Sequence, residues 1–313
     1  MALIAGCGND PATAFPAGSI SSSYTDADIL NFALNLEYLE AEFYLRAATG
    51  LGLSAADAGS NAGTVTGGAK VTGLTPAQQN ILNEIAYDEQ SHVQFLRKAL
   101  GSSAVSRPNI DLTFFGPLAV AAGITTAATG AGSFNPFTTA APNAWDGFLV
   151  GAFVFEDVGV TAYNGAAGLI TTAGITAGYL SAAAGIMAVE AYHAAYVRTY
   201  LTAQAYQLGT TAYPFFGFAN KVVALRATLG GGNETALAGP VAAATTVPNA
   251  TASTIVAADS SALAFHRTTD QVLHIVYGQA NVPSPTGGTI AAGIAKGGFF
   301  PNGLNGTISV TNN

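Results

Sequence analysis

The sequence predicts an all-α fold, an up-down four-helix bundle with a long connection between its second and third helices. Three observations support this prediction. Apolar residues recur at helical spacing in four long segments. Helix start and stop signals flank these segments. The residue pattern of the first two helices returns in the last two, as in a duplicated helical hairpin. We expect residues 1–24 to be a signal remnant and linker, residues 25–209 the bundle, and residues 210–313 a mixed helical and loop extension packed on it.

The first pair of helices has clear boundaries. The first predicted helix follows Thr25, whose hydroxyl can cap it, and ends at Gly50. The second follows Thr75-Pro76, which combines an N-cap residue with a proline in the first turn, and ends at Gly101. Residues 101–143 contain four prolines and are too long for a tight hairpin. They therefore predict a long crossover to the third helix.

The second pair of helices and the extension follow the crossover. The third predicted helix starts after Pro142-Asn143, and a short turn at residues 165–174 separates it from the fourth, at residues 175–208. In the extension, residues 219–229 predict a short helix, and residues 260–277 are apolar enough for one or two more. The apolar content of the extension argues against a disordered tail.

Composition narrows the range of partners. Only 9% of the residues are charged, and the net charge is −8. The ten Lys and Arg residues are scattered, so nucleic acid is not an expected partner. A surface with few charges makes self-association easier, and we therefore expect homo-oligomers or close packing.

The single cysteine, Cys7, excludes an intrachain disulfide and has an informative setting. The residues Leu3-Ile4-Ala5-Gly6-Cys7 resemble the end of a bacterial lipoprotein signal, in which small residues precede a lipidated cysteine. On this interpretation the protein is exported to the periplasm or cell surface and anchored by lipid at Cys7. The alternative is a chance Ala-Gly-Cys in an Ala/Gly-rich tail. No long uninterrupted apolar run predicts a spanning helix.

Two Glu-x-x-His motifs define the predicted chemistry. They are Glu89-x-x-His92 on the second helix and Glu190-x-x-His193 on the fourth. Residues three apart lie on one face of a helix, so each motif directs two ligands to one place. The first and third helices each add a glutamate on an apolar stripe, Glu37 and Glu156. Four carboxylates and two imidazoles in a bundle core are the ligands of ferritin-like di-iron and di-manganese proteins. The predicted metal ligands are Glu37, Glu89, His92, Glu156, Glu190 and His193.

Two tyrosines recur with the ligands. Tyr44 follows Glu37 by seven residues, and Tyr163 follows Glu156 by the same interval. Either each hydroxyl forms a hydrogen bond near the metals, or each ring fills the core with its hydroxyl satisfied elsewhere.

Several other polar residues have open roles. Glu40 lies three residues after Glu37 and is an alternative ligand, or else it belongs with Glu42 to the surface or to the surroundings of the metals. Asp88 and Asp157 adjoin ligands and either orient a histidine on a neighbouring helix or face solvent. We interpret the two histidines of the extension as structural. They are His266 and His274.

These motifs resemble those of a known family. The segments Asn35-Leu36-Glu37-Tyr38, Asp88-Glu89-Gln90-Ser91-His92, Phe155-Glu156 and Glu190-Ala191-Tyr192-His193 resemble the ferritin-like domain of desiccation-related and stress-related proteins. The extension is also similar to that family, at residues 267–273 and in the Gly-Gly-Phe-Phe-Pro-Asn-Gly end. The resemblance implies a ferritin-like fold, a metal site at the matching residues, export, and a role in stress tolerance.

Three functions are compatible with this sequence. The first is a redox-active di-iron or di-manganese protein that reacts with oxygen or peroxide. The second is a manganese catalase-like enzyme with the same six ligands. The third is a structural protein whose metal braces the core while its neutral surface packs into assemblies. Because the ligand set suits Fe and Mn equally, we expect two Fe or two Mn ions without preference.

Overall fold

The computed structural model describes residues 24–239, 252–279 and 295–309. Over these ranges it contains nine α-helices: α1 (Asp26–Thr49), α2 (Ala55–Ala58), α3 (Pro76–Leu100), α4 (Phe115–Ala121), α5 (Ala144–Ala167), α6 (Thr172–Thr176), α7 (Tyr179–Leu208), α8 (Pro214–Gly230) and α9 (Thr269–Val276). Two short parallel pairings join β1 (Val65–Thr66) to β2 (Ile110–Asp111) and β3 (Ala236–Leu237) to β4 (Ala252–Ser253). The segment with Cys7 lies outside the described residues.

Capping residues place the first two long helices where the sequence predicts them. Thr25 accepts a hydrogen bond from the Asp28 amide, and the Asp28 carboxylate accepts one from the Thr25 amide at 2.8 Å. Thr75 and Gln78 form the same reciprocal pair at the start of α3, with Pro76 in its first turn. Gly50 ends α1 in the left-handed conformation, with φ of 87°.

The bundle consists of α1, α3, α5 and α7, in which α1 packs mainly on α3 and α5 on α7. Gln79 at the start of α3 donates to the Ala48 carbonyl at the end of α1, and Arg97 near the end of α3 donates to Tyr38. These two helices are therefore antiparallel. The long crossover, which includes α4, carries the chain back before α5 begins. The predicted all-α bundle is confirmed.

Three predicted boundaries differ from the structure. The fourth bundle helix begins at Tyr179 because Gly178, with φ of 90°, separates it from the short helix α6. The first helix of the extension begins at Pro214, a first-turn proline that the prediction overlooked. Residues 260–268 are not helical, and α9 starts only after Thr268, which forms a capping box with Gln271.

The extension lies on the bundle and covers α5, which α8 and α9 both contact. As a result α5 is buried along most of its length, from Ala144 to Tyr163. A buried aromatic cluster fills one end of the core, where the ring of Phe43 stacks on that of Phe148 at 4.9 Å. Among the described helices, none combines the length and apolar content needed to cross a bilayer.

Candidate metal centre

The six predicted ligands converge in the bundle core. Glu37 comes from α1, Glu156 from α5, and one Glu-x-x-His pair from each of α3 and α7. All six side chains are buried, with exposure between 0% and 8%. Their oxygen and nitrogen atoms form two groups within which all ligand atoms lie within 4.8 Å of one another. One group contains Glu37, Glu89, His92 and Glu190, and the other contains Glu89, Glu156 and His193.

Glu89 belongs to both groups, which places its carboxylate between the two imidazoles. The Nδ1 atom of His193 lies 3.0 Å from Glu89 Oε1, and that of His92 lies 3.5 Å from Glu89 Oε2. His92 Nδ1 also lies 3.2 Å from Glu37 Oε2 and 3.4 Å from Glu190 Oε1. A carboxylate with one oxygen facing each group has the geometry to bridge two cations.

Many ligand atoms at this centre have no hydrogen-bond partner. Within the described part of the chain, both oxygens of Glu89, both of Glu190, one of Glu156 and the Nδ1 atom of His193 are buried without such a partner. Unsatisfied buried polar atoms are rare in proteins because each loses its interactions with water. Divalent cations would satisfy all of these oxygen and nitrogen atoms together, so the donor set fits a two-metal site.

The electrostatics show how strongly the cluster attracts positive charge. Burial raises the pKa of Glu37 and Glu156, and burial together with Glu89 raises the pKa of Glu190 to about 8. Burial would also raise the pKa of Glu89, but the neighbouring imidazoles of His193 and His92 outweigh this effect and lower that pKa to about 2. Protons thus neutralise part of the cluster when cations are absent.

Burial acts on the pKa of the two imidazoles in the opposite direction. Burial alone would lower the pKa of His193, yet the Glu156 and Glu89 carboxylates raise it to about 11. The pKa of His92 is raised as well, mainly by Glu37, against the effect of burial. Because metal binding needs neutral imidazole and ionised carboxylate, cations must displace these protons.

The two tyrosines connect the halves of the bundle at the centre. Tyr44 on α1 donates a hydrogen bond to Glu156 Oε1 on α5, and Tyr163 on α5 donates one to Glu37 Oε1 on α1. Of the two roles left open by the sequence, the structure therefore supports hydrogen bonding near the centre. The reciprocal arrangement also makes α1 and α5 antiparallel, and each tyrosine fixes one oxygen of the other half's glutamate.

One histidine has an outer carboxylate partner, and the residue at the equivalent position in the other half of the bundle is not a carboxylate. The Nε2 atom of His193 lies 3.2 Å from Asp88 Oδ2, so Asp88 is placed to orient this imidazole from the neighbouring helix. Asp88 precedes Glu89, and the residue that precedes Glu190 is Val189. The two halves of the centre are therefore not equivalent.

Glu40 and Glu42 are both buried, so a surface location is wrong for each. Glu42 pairs with Arg46 at 2.8 Å and with Arg107, and it has a structural role away from the cluster. Glu40 is close to the centre. Its pKa is raised well above the usual value by burial, with further contributions from Glu190 and Glu89.

Asp157 does not orient a ligand histidine or face solvent. Its Oδ2 atom accepts hydrogen bonds from Arg198 and Arg226, both at 2.9 Å, and Arg226 and Arg267 also pair with Glu234. Sequence reasoning missed this buried network, which ties the extension to α5 and α7. The signal was present at Arg226, which lies on the apolar stripe of α8 with Val222 and Leu229.

The histidines of the extension belong to neither ligand group. His274 is fully buried in α9, where its Nδ1 atom lies 3.0 Å from the Gln279 carbonyl oxygen. The carbonyl of His266 accepts a hydrogen bond from Asn233 at 2.7 Å. Both contacts agree with the structural role expected from the sequence.

Comparison with known proteins agrees with this architecture. A family model described as a ferritin-like domain matches residues 25–203, which include all six predicted ligands. A ferritin-like catalase, Nec2, from Nesocodon mauritianus is 29% identical over 297 residues, covering 91% of this chain and 85% of that protein. The desiccation-related protein PCC13-62 from Craterostigma plantagineum is 30% identical over 268 residues, covering 83% of this chain and 80% of that protein. The resemblance to desiccation-related proteins is confirmed, and both similarities extend beyond the bundle.

Proposed function

Because the chain belongs to the ferritin-like domain family, we propose that it is a di-metal carboxylate protein that reacts with oxygen or peroxide. Its role would be to protect exported components against oxidative or drying stress. The observation that supports this proposal most strongly is the pair of overlapping ligand groups, in which the buried oxygens of Glu89 and Glu190 have no hydrogen-bond partner among the described residues. Two Fe or two Mn ions would satisfy them, and the donor atoms suit both metals.

The six predicted ligands divide between two positions for a metal ion. Glu37, His92 and Glu190 would hold one ion, and Glu156 and His193 the other, with Glu89 shared between them. When bound, the ions would supply the electrons and the open coordination positions needed to react with a small oxidant. Tyr44 and Tyr163 hold the outer oxygens of Glu156 and Glu37, and burial keeps bulk water away from the centre.

A second candidate is peroxide disproportionation, in which two molecules of hydrogen peroxide yield one of dioxygen and two of water. The observation in its favour is the printed name of a relative, a ferritin-like catalase that aligns with 91% of this chain. The reaction needs no outside reductant, so a centre enclosed in this way could perform it alone.

The test of the proposed function is elemental analysis of the protein from its native host, followed by peroxide-decay and oxygen-uptake assays on the same sample. About two Fe or Mn per chain with rapid loss of peroxide or oxygen would support it, and manganese with peroxide loss would favour disproportionation. Two metals without either reactivity would favour a structural, bracing role. Absence of metal after reconstitution would refute the centre.

A matched pair of variants makes the assay specific. Glu89→Gln removes the shared carboxylate charge and is expected to abolish binding of at least one ion. Glu84→Gln makes the same change on an exposed residue of the same helix and should leave metal content unchanged. Equal metal content in the two variants would contradict the assignment of Glu89.

Export and lipid anchoring at Cys7 are a separate proposal, supported by the resemblance of residues 3–7 to a lipoprotein signal. Labelling of the native protein with a fatty-acid precursor, compared with a Cys7→Ser variant, tests it. Label retained in the variant, or absent from both, would refute the anchor.

A further inference from the structure

A small cavity lies beside the candidate metal centre and outside the ligand set. It has a volume of about 20 Å³ and is lined by residues of α1, α5 and α9 together with Phe299. The space is large enough for one molecule of the size of water. Apart from Glu40, its lining is apolar, and it includes Leu36, Val158, Ile275 and Val276. An apolar cavity of this size does not hold water well, because water there finds few hydrogen-bond partners.

Gly159 lies in the wall between the cavity and the centre. A Cβ atom on Gly159 would lie 2.5 Å from Glu190 Oε2 and 3.5 Å from Glu40 Oε1. One of these oxygens belongs to a predicted ligand, and the other belongs to the polar residue of the cavity wall. The Glu190 carboxylate thus lies directly against the α5 backbone at Gly159, where a methyl group would collide with it, so the cavity and the ligand cluster adjoin at this residue.

The internal repeat is broken at this point. Glu40 follows Glu37 by three residues, and Gly159 follows Glu156 by three, so the two occupy equivalent positions in the halves of the bundle. A carboxyl on one side faces a residue without a side chain on the other. Part of the cavity lining comes from α9 and Phe299, which belong to the extension.

We propose that this cavity takes up dioxygen and that Glu40 and Gly159 border its passage to or from the metal centre. Dioxygen is apolar and diatomic, which matches the size and the lining of the cavity. It would be the oxidant in one candidate reaction and the product in the other, so the inference rests on the proposed function but not on the choice between them. The extension then has a specific role as part of the wall of the dioxygen cavity.

The first test detects dioxygen in the cavity without any reaction. Dissolved dioxygen is paramagnetic and speeds the relaxation of nearby methyl protons, which NMR of methyl-labelled protein measures. Samples are metal-free and zinc-loaded, since zinc is redox-inert. Methyl groups of Leu36, Val158 and Ile275 are expected to show a larger dioxygen-dependent rate than those of Leu30 and Leu100, which are at least as exposed on average and do not line the cavity. Equal rates would overturn the proposal.

A matched pair of variants locates the effect. Val158→Ile adds one methylene group to the cavity and is expected to abolish the excess relaxation of the remaining lining methyl groups. Val150→Ile adds the same group on the same helix at a different cavity, of about 10 Å³, and should preserve the excess. Retention of the excess in Val158→Ile would overturn the assignment.

The last measurement connects the cavity to the centre. In the metal-loaded protein, Val158→Ile should slow oxygen uptake or release while leaving metal content unchanged, and Val150→Ile should do neither. Unchanged rates in both would refute the passage. Zinc uptake without excess relaxation would overturn the cavity but keep the metal centre. Excess relaxation without zinc uptake would refute the centre instead, so the two failures are distinguishable.

Discussion

Replacing Tyr163 by phenylalanine removes one hydroxyl group from the candidate centre and changes little else. In the native structure that hydroxyl donates to Glu37 Oε1, and both groups are buried. When metal is bound, Glu37 is ionised, and a hydrogen bond to a charged group contributes about 2 kcal/mol. Without metal, burial raises the pKa of Glu37 and so favours the neutral carboxyl, and a hydrogen bond to a neutral group contributes about 1 kcal/mol.

The difference between these two states gives the expected effect on metal binding. Tyr163→Phe should lower the free energy of unfolding by about 1 kcal/mol without metal and by about 2 kcal/mol with metal. The remaining difference of about 1 kcal/mol corresponds to metal affinity that is roughly fivefold weaker. Tyr44→Phe should give a similar result because its hydroxyl holds Glu156 in the equivalent way.

Chemical denaturation with and without metal, together with a competitive metal titration, measures both quantities. Tyr38→Phe is the matched control, since Tyr38 is a fully buried tyrosine of α1 that donates to the Val105 carbonyl at 2.9 Å, away from the ligands. It should lower stability equally in both states and leave metal affinity unchanged. The reasoning would be refuted if all three variants shifted metal affinity alike, or if the tyrosines at the centre did not shift it.

Three further predictions concern the surroundings of the centre. Asp88→Asn should weaken metal binding by about 10- to 100-fold, because the Asp88 carboxylate orients His193. The control is Asp57→Asn, which changes a carboxylate that accepts hydrogen bonds from Gln90 and Gln94 and should leave metal affinity unchanged. Equal metal affinities in the two variants would contradict the role of Asp88. In the metal-free protein, the raised pKa values of Glu190 (about 8) and His193 (about 11) mean that the folded state binds more protons than the unfolded state. The free energy of unfolding should therefore fall from about pH 4.5, the ordinary pKa of glutamate, to about pH 11, while metal affinity rises. Calorimetry in buffers of different ionisation enthalpy should detect proton release on metal binding, and the absence of proton release would count against the proton-filled cluster. Glu234→Gln should destabilise the protein by about 3–5 kcal/mol, because it removes the carboxylate charge that pairs with the buried Arg226 and Arg267 side chains. An unchanged denaturation midpoint would show that this network contributes little to stability.

The sequence predicted that the six side chains converge because their signal is local. Glu89 and His92 lie on one face of one helix whatever surrounds them, and the cap at Thr75 fixes where that helix begins. The repeat then suggested that Glu190 and His193 form an equivalent pair. Matching spacing in the two halves also drew attention to Tyr44 and Tyr163, whose hydroxyls the structure places on the opposite half.

Long-range contacts explain what the sequence did not predict. The burial of Glu40 depends on α5 and on the extension, which lie far from it along the chain. Arg198 and Asp157 meet only after α5 and α7 pack together, and nothing in the spacing of either helix requires it. The start of α7 was misplaced for a local reason, because a single left-handed residue, Gly178, interrupts an otherwise continuous apolar pattern.

The hydrogen bonds that Tyr44 and Tyr163 donate between the two helical hairpins have a consequence for biogenesis. Neither helical hairpin alone contains all six predicted ligands. Each hairpin also contributes a glutamate whose carboxylate accepts a hydrogen bond from a tyrosine of the other hairpin. A nascent chain with only its first hairpin folded would therefore retain cations weakly. If the proposed centre binds metal, tight retention would begin only once the second hairpin has docked, and metal loading would then depend on complete assembly.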